Sequence, residues 1–176
     1  HLSDNRNFLY LDCSADNDYH TIEVYKIDGG TVSYMGLLEN AGAEEGGITD
    51  PDSFPLSSRL DLLSTYSGTK YCHTGADGIP VADDTSYRLS EKLTLTSRKD
   101  MTVPLLNDSY QTVSENITVP AGTEFTLSRS DGTKYVDAVL ADGRLCRLEL
   151  DNGGSWPQTI GGEEIENLFD GLRFAG

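Results

Sequence analysis

Lys134-Tyr135-Val136-Asp137-Ala138-Val139-Leu140, then Ala141-Asp142-Gly143, then Arg144-Leu145-Cys146-Arg147-Leu148-Glu149-Leu150 is the stretch on which the fold turns. Apolar residues recur with period two on both sides of an Asp-Gly pair. Alternation of that period marks a strand with one buried face, and Asp-Gly supplies the positive φ that a tight hairpin needs. The same grammar extends in both directions. Upstream, Ser130-Asp131-Gly132 joins this hairpin to Glu124-Phe125-Thr126-Leu127-Ser128-Arg129. Before it come Asn116-Ile117-Thr118-Val119 and Thr102-Val103-Pro104-Leu105-Leu106. Five short strands with turns every 8–12 residues predict a small barrel or sandwich over 98–176.

The N-terminal part repeats the pattern. Phe8-Leu9-Tyr10-Leu11-Asp12-Cys13 and Thr21-Ile22-Glu23-Val24-Tyr25-Lys26-Ile27 alternate, and Asp28-Gly29-Gly30 leads into Thr31-Val32-Ser33-Tyr34-Met35-Gly36. Residues 7–38 therefore read as a three-stranded meander. A further hairpin is predicted around Asp77-Gly78, between Thr69-Lys70-Tyr71-Cys72-His73-Thr74 and Ile79-Pro80-Val81. A short helix is placed near 57–63, and 163–168 has a helical cast that Asp170-Gly171 stops. The expected architecture is all-β: a meander and hairpin region over 1–97, then a barrel over 98–176.

Composition narrows the function classes. The chain has 176 residues, 29 acids against 13 bases and a formal net charge of −16. Phosphate backbones and anionic membranes repel such a surface, so nucleic acid is not an expected partner. No apolar run approaches the ~18 residues needed to span a bilayer, so no membrane insertion is expected. The start, His1-Leu2-Ser3-Asp4-Asn5-Arg6, lacks the basic-then-apolar pattern of a secretory leader, and the chain is expected to be part of a longer protein. Cys13, Cys72 and Cys146 lie 59 and 74 residues apart, too far for the paired spacings of zinc sites or dithiol oxidoreductases, and are expected as buried small side chains. Whether any two form a disulfide stays open.

Several blocks carry a resemblance. Val119-Pro120-Ala121-Gly122-Thr123, Arg129-Ser130-Asp131-Gly132, Ala141-Asp142-Gly143-Arg144 and Phe169-Asp170-Gly171-Leu172-Arg173-Phe174-Ala175-Gly176 resemble bacterial SH3-like domains. These close the C-termini of secreted or lipid-anchored surface proteins of anaerobic Gram-positive bacteria. The first meander is similar to a propeller blade. The resemblance implies an extracellular or cell-surface module without catalytic residues. Its implied partners are other domains of the same parent protein, or a wall polymer or glycan.

The candidate chemistry is sparse. Asp12, Asp16, Asn17 and Asp18 crowd one turn with His20 beyond. Oxygen ligands so close in sequence suit calcium, but the EF-hand spacing is not met and Asx residues bonding their own backbone make a turn the favoured reading. The alternative function is the accessory domain of an extracellular hydrolase acting on glycan or cell-wall polymer, its active site lying upstream or built from Asp16, Asp18 and His20. Cys72-His73 is the one adjacent Cys-His pair, but strand neighbours face opposite ways. No Gly-x-Ser-x-Gly elbow occurs, and Glu44, Glu45, Glu163, Glu164 and Glu166 read as solvated acids. Trp156, with Tyr110, Tyr135 and Phe174, is the candidate aromatic platform for a sugar or peptide. For Trp156 the favoured reading is nonetheless a lid on the barrel core, since aromatic side chains mainly contribute buried area. The expected function is a non-catalytic structural or binding module.

Overall fold

The computed structural model describes residues 6–15, 19–45 and 47–175. Strand accounts for 59 % of the chain and helix for 2 %, so the all-β expectation holds. Two compact units emerge: 1–59 with 69–85, and 60–68 with 86–176. The expected boundary at 97/98 falls inside the second unit. Residues 60–68 and 86–97 pack there because Leu60, Leu62, Leu63, Tyr66, Leu93 and Leu95 are buried in its core.

The first unit opens on β1 (Asn7–Ser14), β2 (His20–Asp28) and β3 (Thr31–Glu39), an antiparallel sheet in the order β1-β2-β3. Ile22 and Val24 of β2 are fully buried, while their neighbours Glu23 and Tyr25 lie on the other face. The second layer comes from β4 (Gly42–Ala43), β5 (Phe54–Asp61), β6 (Thr65–Thr74) and β7 (Pro80–Ala82). Phe54, Leu56 and Cys72 close the core on Ile22, Val24 and Ala41. Two glycines permit close approach. A Cβ on Gly78 would stand 2.3 Å from the Phe8 ring, and one on Gly42 would stand 2.9 Å from the His20 ring. Gly78 also sits at φ 87°, which its hairpin turn demands.

The helix placed near 57–63 is a strand instead. Phe54, Leu56, Ser58 and Leu60 are buried and the residues between them are not, a period of two that pairs β5 into a sheet. Both β5 and β6 contribute residues to both units.

The second unit contains β8 (Tyr87–Ser97), β9 (Met101–Leu106), β10 (Thr112–Val119), β11 (Glu124–Ser130), β12 (Tyr135–Leu140) and β13 (Leu145–Glu149). The short pieces β14 (Thr159–Ile160), β15 (Glu163–Glu164), α1 (Ile165–Leu168) and β16 (Phe169–Asp170) follow. The strand order β10-β9-β13-β12-β11-β8 is an open path with β16 on β8, and no sheet of the described residues closes on itself. Phe125 and Phe169, both at 1 % exposure or less, meet edge to face with centroids 5.8 Å apart. Val136, Ala138, Cys146 and Leu148 are wholly buried around them. Among the described residues no helix is long and apolar enough to cross a membrane.

Candidate functional site

The Asp142-Gly143 hairpin sets β12 against β13 so that Asp137 faces Arg147. One strand further, a bulge between Leu127 and Arg129 shifts the register of β11 and brings Arg129 opposite Asp137. Side chains at directly opposed positions share a face, so Arg129, Asp137 and Arg147 form one row across three strands. Ser128, the extra residue, donates its hydroxyl to the Asp137 carbonyl oxygen at 3.0 Å.

Asp137 is only 1 % exposed. Its Oδ1 accepts from Arg147 Nε at 2.7 Å and its Oδ2 from Arg147 Nη2 at 3.0 Å, a two-pronged pair that satisfies both oxygens. Burial pushes the Asp137 carboxyl above its usual range, and Arg147 opposes that shift. The Arg147 guanidinium stands 3.5 Å from the Tyr135 ring centroid, and its Nη2 also donates to the Tyr110 carbonyl at 3.4 Å. The Arg129 guanidinium lies 4.3 Å from the centroid of the Tyr110 ring. Tyr110 reaches this position from the turn between β9 and β10, at φ 60°. Asn107 Oδ1 holds that turn by accepting from the Ser109 and Gln111 amides.

Tyr110 and Tyr135 thus join one arginine–aromatic cluster, and one face of each ring carries a guanidinium. Trp156 belongs elsewhere. Its ring meets Phe174 edge to face at 4.9 Å, and the two are 56 % and 38 % exposed. The expected role of Trp156 as a lid on the core is corrected, because a side chain so open to solvent is not part of the core. The loop beneath it is firmly tied. Gln158 is fully buried, its Oε1 accepts from the Leu63 amide at 2.9 Å and its Nε2 donates to the Asp61 carbonyl at 2.6 Å. Asn152 Nδ2 donates to the Ser155 and Pro157 carbonyls. Asp151 accepts from the Gly161 and Gly162 amides, which hold its carboxyl below the ordinary range. The Phe174 segment is fixed by Arg173 N–H to Ser64 Oγ and Ala175 N–H to Thr65 Oγ1.

In the first unit, Asp12 Oδ1 meets His20 Nδ1 at 2.8 Å and Asp12 Oδ2 accepts from the Ala43 amide at 2.8 Å. Asp12 is therefore a clamp between β1, β2 and β4. The tentative calcium ligands Asp16 and Asp18 lie outside the described residues, as do Asn17 and with it the core of the proposed turn. Among the described residues no group of three or more His, Cys, Asp or Glu side chains is placed to hold a metal ion. A second histidine–carboxylate pair, His73 Nδ1 to Asp83 Oδ1 at 2.7 Å, spans β6 and the residues after β7.

All three thiols are unpaired. Burial pushes Cys72 up to about 11 and Cys146 up to about 12, which favours the protonated thiol of both at neutral pH. Cys13 was expected inside but is exposed, because it lies on the outer face of β1 with Leu9 and Leu11.

Sequence reading missed Arg129, Asp137, Arg147 and Gln158. The Asp137–Arg147 pairing was only partly legible: the Asp142-Gly143 turn joins their strands, but a two-residue turn there would set Asp137 against Leu148, whereas the observed pairing is centred on Asp142. The Arg129 register was not legible, because a bulge leaves no periodic signature. Protein-family models, characterised proteins and solved structures were compared with the chain, and none matches.

Proposed function

We propose that this chain is a non-catalytic binding module of a bacterial secreted or surface protein, and that it takes a glycan or wall polymer on the Trp156–Phe174 pair. The observation that carries this reading is the exposure of two touching aromatic rings on backbone that is tightly bonded beneath them. An exposed ring on a mobile loop loses rotamer and backbone freedom when it stacks on a ligand. Here that loss is taken during folding, and pre-organisation of this kind raises affinity. Aromatic side chains also have the amphipathic character that suits the alternating apolar and hydroxylated faces of a sugar.

The SH3-like kinship of the second unit belongs to the same proposal. In its support, the first and last strands of the five-strand run pair directly, Leu106 with Leu145 and Leu105 with Cys146. The turn blocks that carry the resemblance fall between paired strands: Asp131-Gly132 between β11 and β12, and Asp142-Gly143 between β12 and β13. Extracellular placement and association with other domains of a parent protein follow from the resemblance and are part of the proposal.

Trp156 is the sole tryptophan, so its fluorescence reports on the platform directly. A panel of soluble cell-wall glycans should include at least one that shifts this emission saturably, with the response lost in Phe174→Ala. If no glycan shifts the emission while the fold is intact by circular dichroism, the ligand reading is overturned and a purely structural role replaces it.

A further inference from the structure

The row of Arg129, Asp137 and Arg147 continues onto β8, where Arg88 is the partner of Arg129. Two arginines thus stand directly opposite one another on adjacent strands, on the face away from the core. The inner face at this level is given by the next pair, partly buried Tyr87 against fully buried Ser130. Like charges in such a position destabilise a sheet. The neighbouring Asp137 attracts Arg129 across the strand pair, but both of its oxygens are already hydrogen-bonded to Arg147. Among the described residues, no hydrogen bond or ion pair engages the guanidinium groups of Arg88 and Arg129. In a chain with 29 acids and 13 bases, two adjacent guanidinium groups whose N–H donors no carboxylate of the described residues takes up are unusual. Arg129 is further supported by the Tyr110 ring, which stacks on the guanidinium without occupying its N–H donors.

We propose that Arg88 and Arg129 form a binding site for a single oxyanion on the outer face of the second unit, the charged group of the ligand being a carboxylate or a phosphate. Arginine presents its N–H groups as a planar fork that matches both anions with two parallel hydrogen bonds. Tyr110 holds Arg129 edge-on to the incoming group, and the register of β8 on β11 sets Arg88 beside it. The net charge of −16 defines the size of the ligand's charge. A polyanion would meet long-range repulsion from the whole molecule, whereas one charged group close to two guanidinium groups meets mainly local attraction. The ligand therefore carries isolated charges, as in a saccharide with one acidic residue or a peptide C-terminus. This site is independent of the Trp156–Phe174 pair, so either can fail without the other.

The test is a titration of the whole chain, followed by the Nε–Hε resonances of arginine in 1H–15N spectra. Glucuronate, inorganic phosphate, glucose and heparin serve as probes. The expected result is a saturable shift of the Arg88 and Arg129 signals with glucuronate or phosphate, and none with glucose. The stronger of the two anions names the charged group. Arg129→Gln and Arg88→Gln should each weaken binding at least tenfold, and Tyr110→Leu should weaken it less. Equal shifts with glucose, an unchanged affinity in the double glutamine variant, or tighter binding of heparin than of either small anion would overturn the proposal. Arg88 is exposed, so its glutamine variant folds and keeps the test decisive if Arg129→Gln does not.

Discussion

The two units solve the outer face of a sheet in opposite ways. In the first, the three-stranded meander is apolar on both sides. Ile22 and Val24 look into the core, while Leu9, Leu11, Ile27, Val32, Tyr34 and Leu37 remain between 38 % and 60 % exposed on the other face. Leu9, Tyr25 and Tyr34 even line up in one cross-strand row, and so do Ile27 and Val32. In the second unit the outer face of β11, β12 and β13 carries Arg129, Tyr135, Asp137 and Arg147, knit by a buried ion pair and two guanidinium–ring contacts. Both units share Asp-Gly turns and strand periodicity. The difference lies in how each face is built: the charged one pairs Asp137 with Arg147 and stacks arginines on tyrosine rings, whereas the apolar one leaves its side chains exposed.

The sharpest way to break this contrast is to remove the rivet of the second unit. Arg147→Ala leaves the Asp137 carboxylate buried and unpaired, and should cost about 3–5 kcal/mol in urea unfolding. Replacing both partners together, as Arg147→Met with Asp137→Leu, should recover most of that loss. Gln158→Ala comes next. It strips partners from the Leu63 amide and the Asp61 carbonyl, at about 1–3 kcal/mol for each buried group left unsatisfied. The Trp156 emission should move with it, since the loop above loses its anchor.

A smaller effect is expected at the turn between β11 and β12. Burial by itself would raise the Asp131 carboxyl, but the amides of Lys134, Thr133 and Tyr135 together hold it below the ordinary range. A lowered carboxyl adds stability above the unfolded value of about 4 and loses it as the pH falls through the folded value. Asp131→Ala should therefore lower stability by about 1 kcal/mol near neutrality, and the gap from the parent should close in acid. Melting temperatures across an acid series check this. Smallest of all, Val32→Thr with Tyr34→Ser should change stability by less than about 0.5 kcal/mol, as surface substitutions do. The same variant should bind less of an apolar dye; an unchanged signal would show that this face is not the apolar surface of the molecule.

Much of the fold was legible. The meander over 7–38 matches β1 to β3, and the five strands after residue 98 match β9 to β13. Asp-Gly turns and period-two alternation are local properties, and they act within a few residues. The helix near 57–63 misread Ser57-Ser58-Arg59-Leu60 because Pro55 and two serines blur the alternation that burial makes plain. Of the candidate site, Trp156, Tyr110 and Tyr135 were found by residue type, but their grouping was not. Trp156 joins Phe174 because 172–175 is bonded to 64–65, an association across more than a hundred residues.

By itself, then, the sequence determined the strand content and most of the turns, since both follow from local geometry. Only the tertiary structure decided that Arg88, Arg129, Asp137 and Arg147 share a row. That row depends on a bulge at Ser128 and on β8 returning to pair with β11, and no periodicity within either strand encodes which partner it meets. The same holds for residues 60–68, whose buried leucines belong to the core of the second unit although the chain on both sides of them belongs to the first.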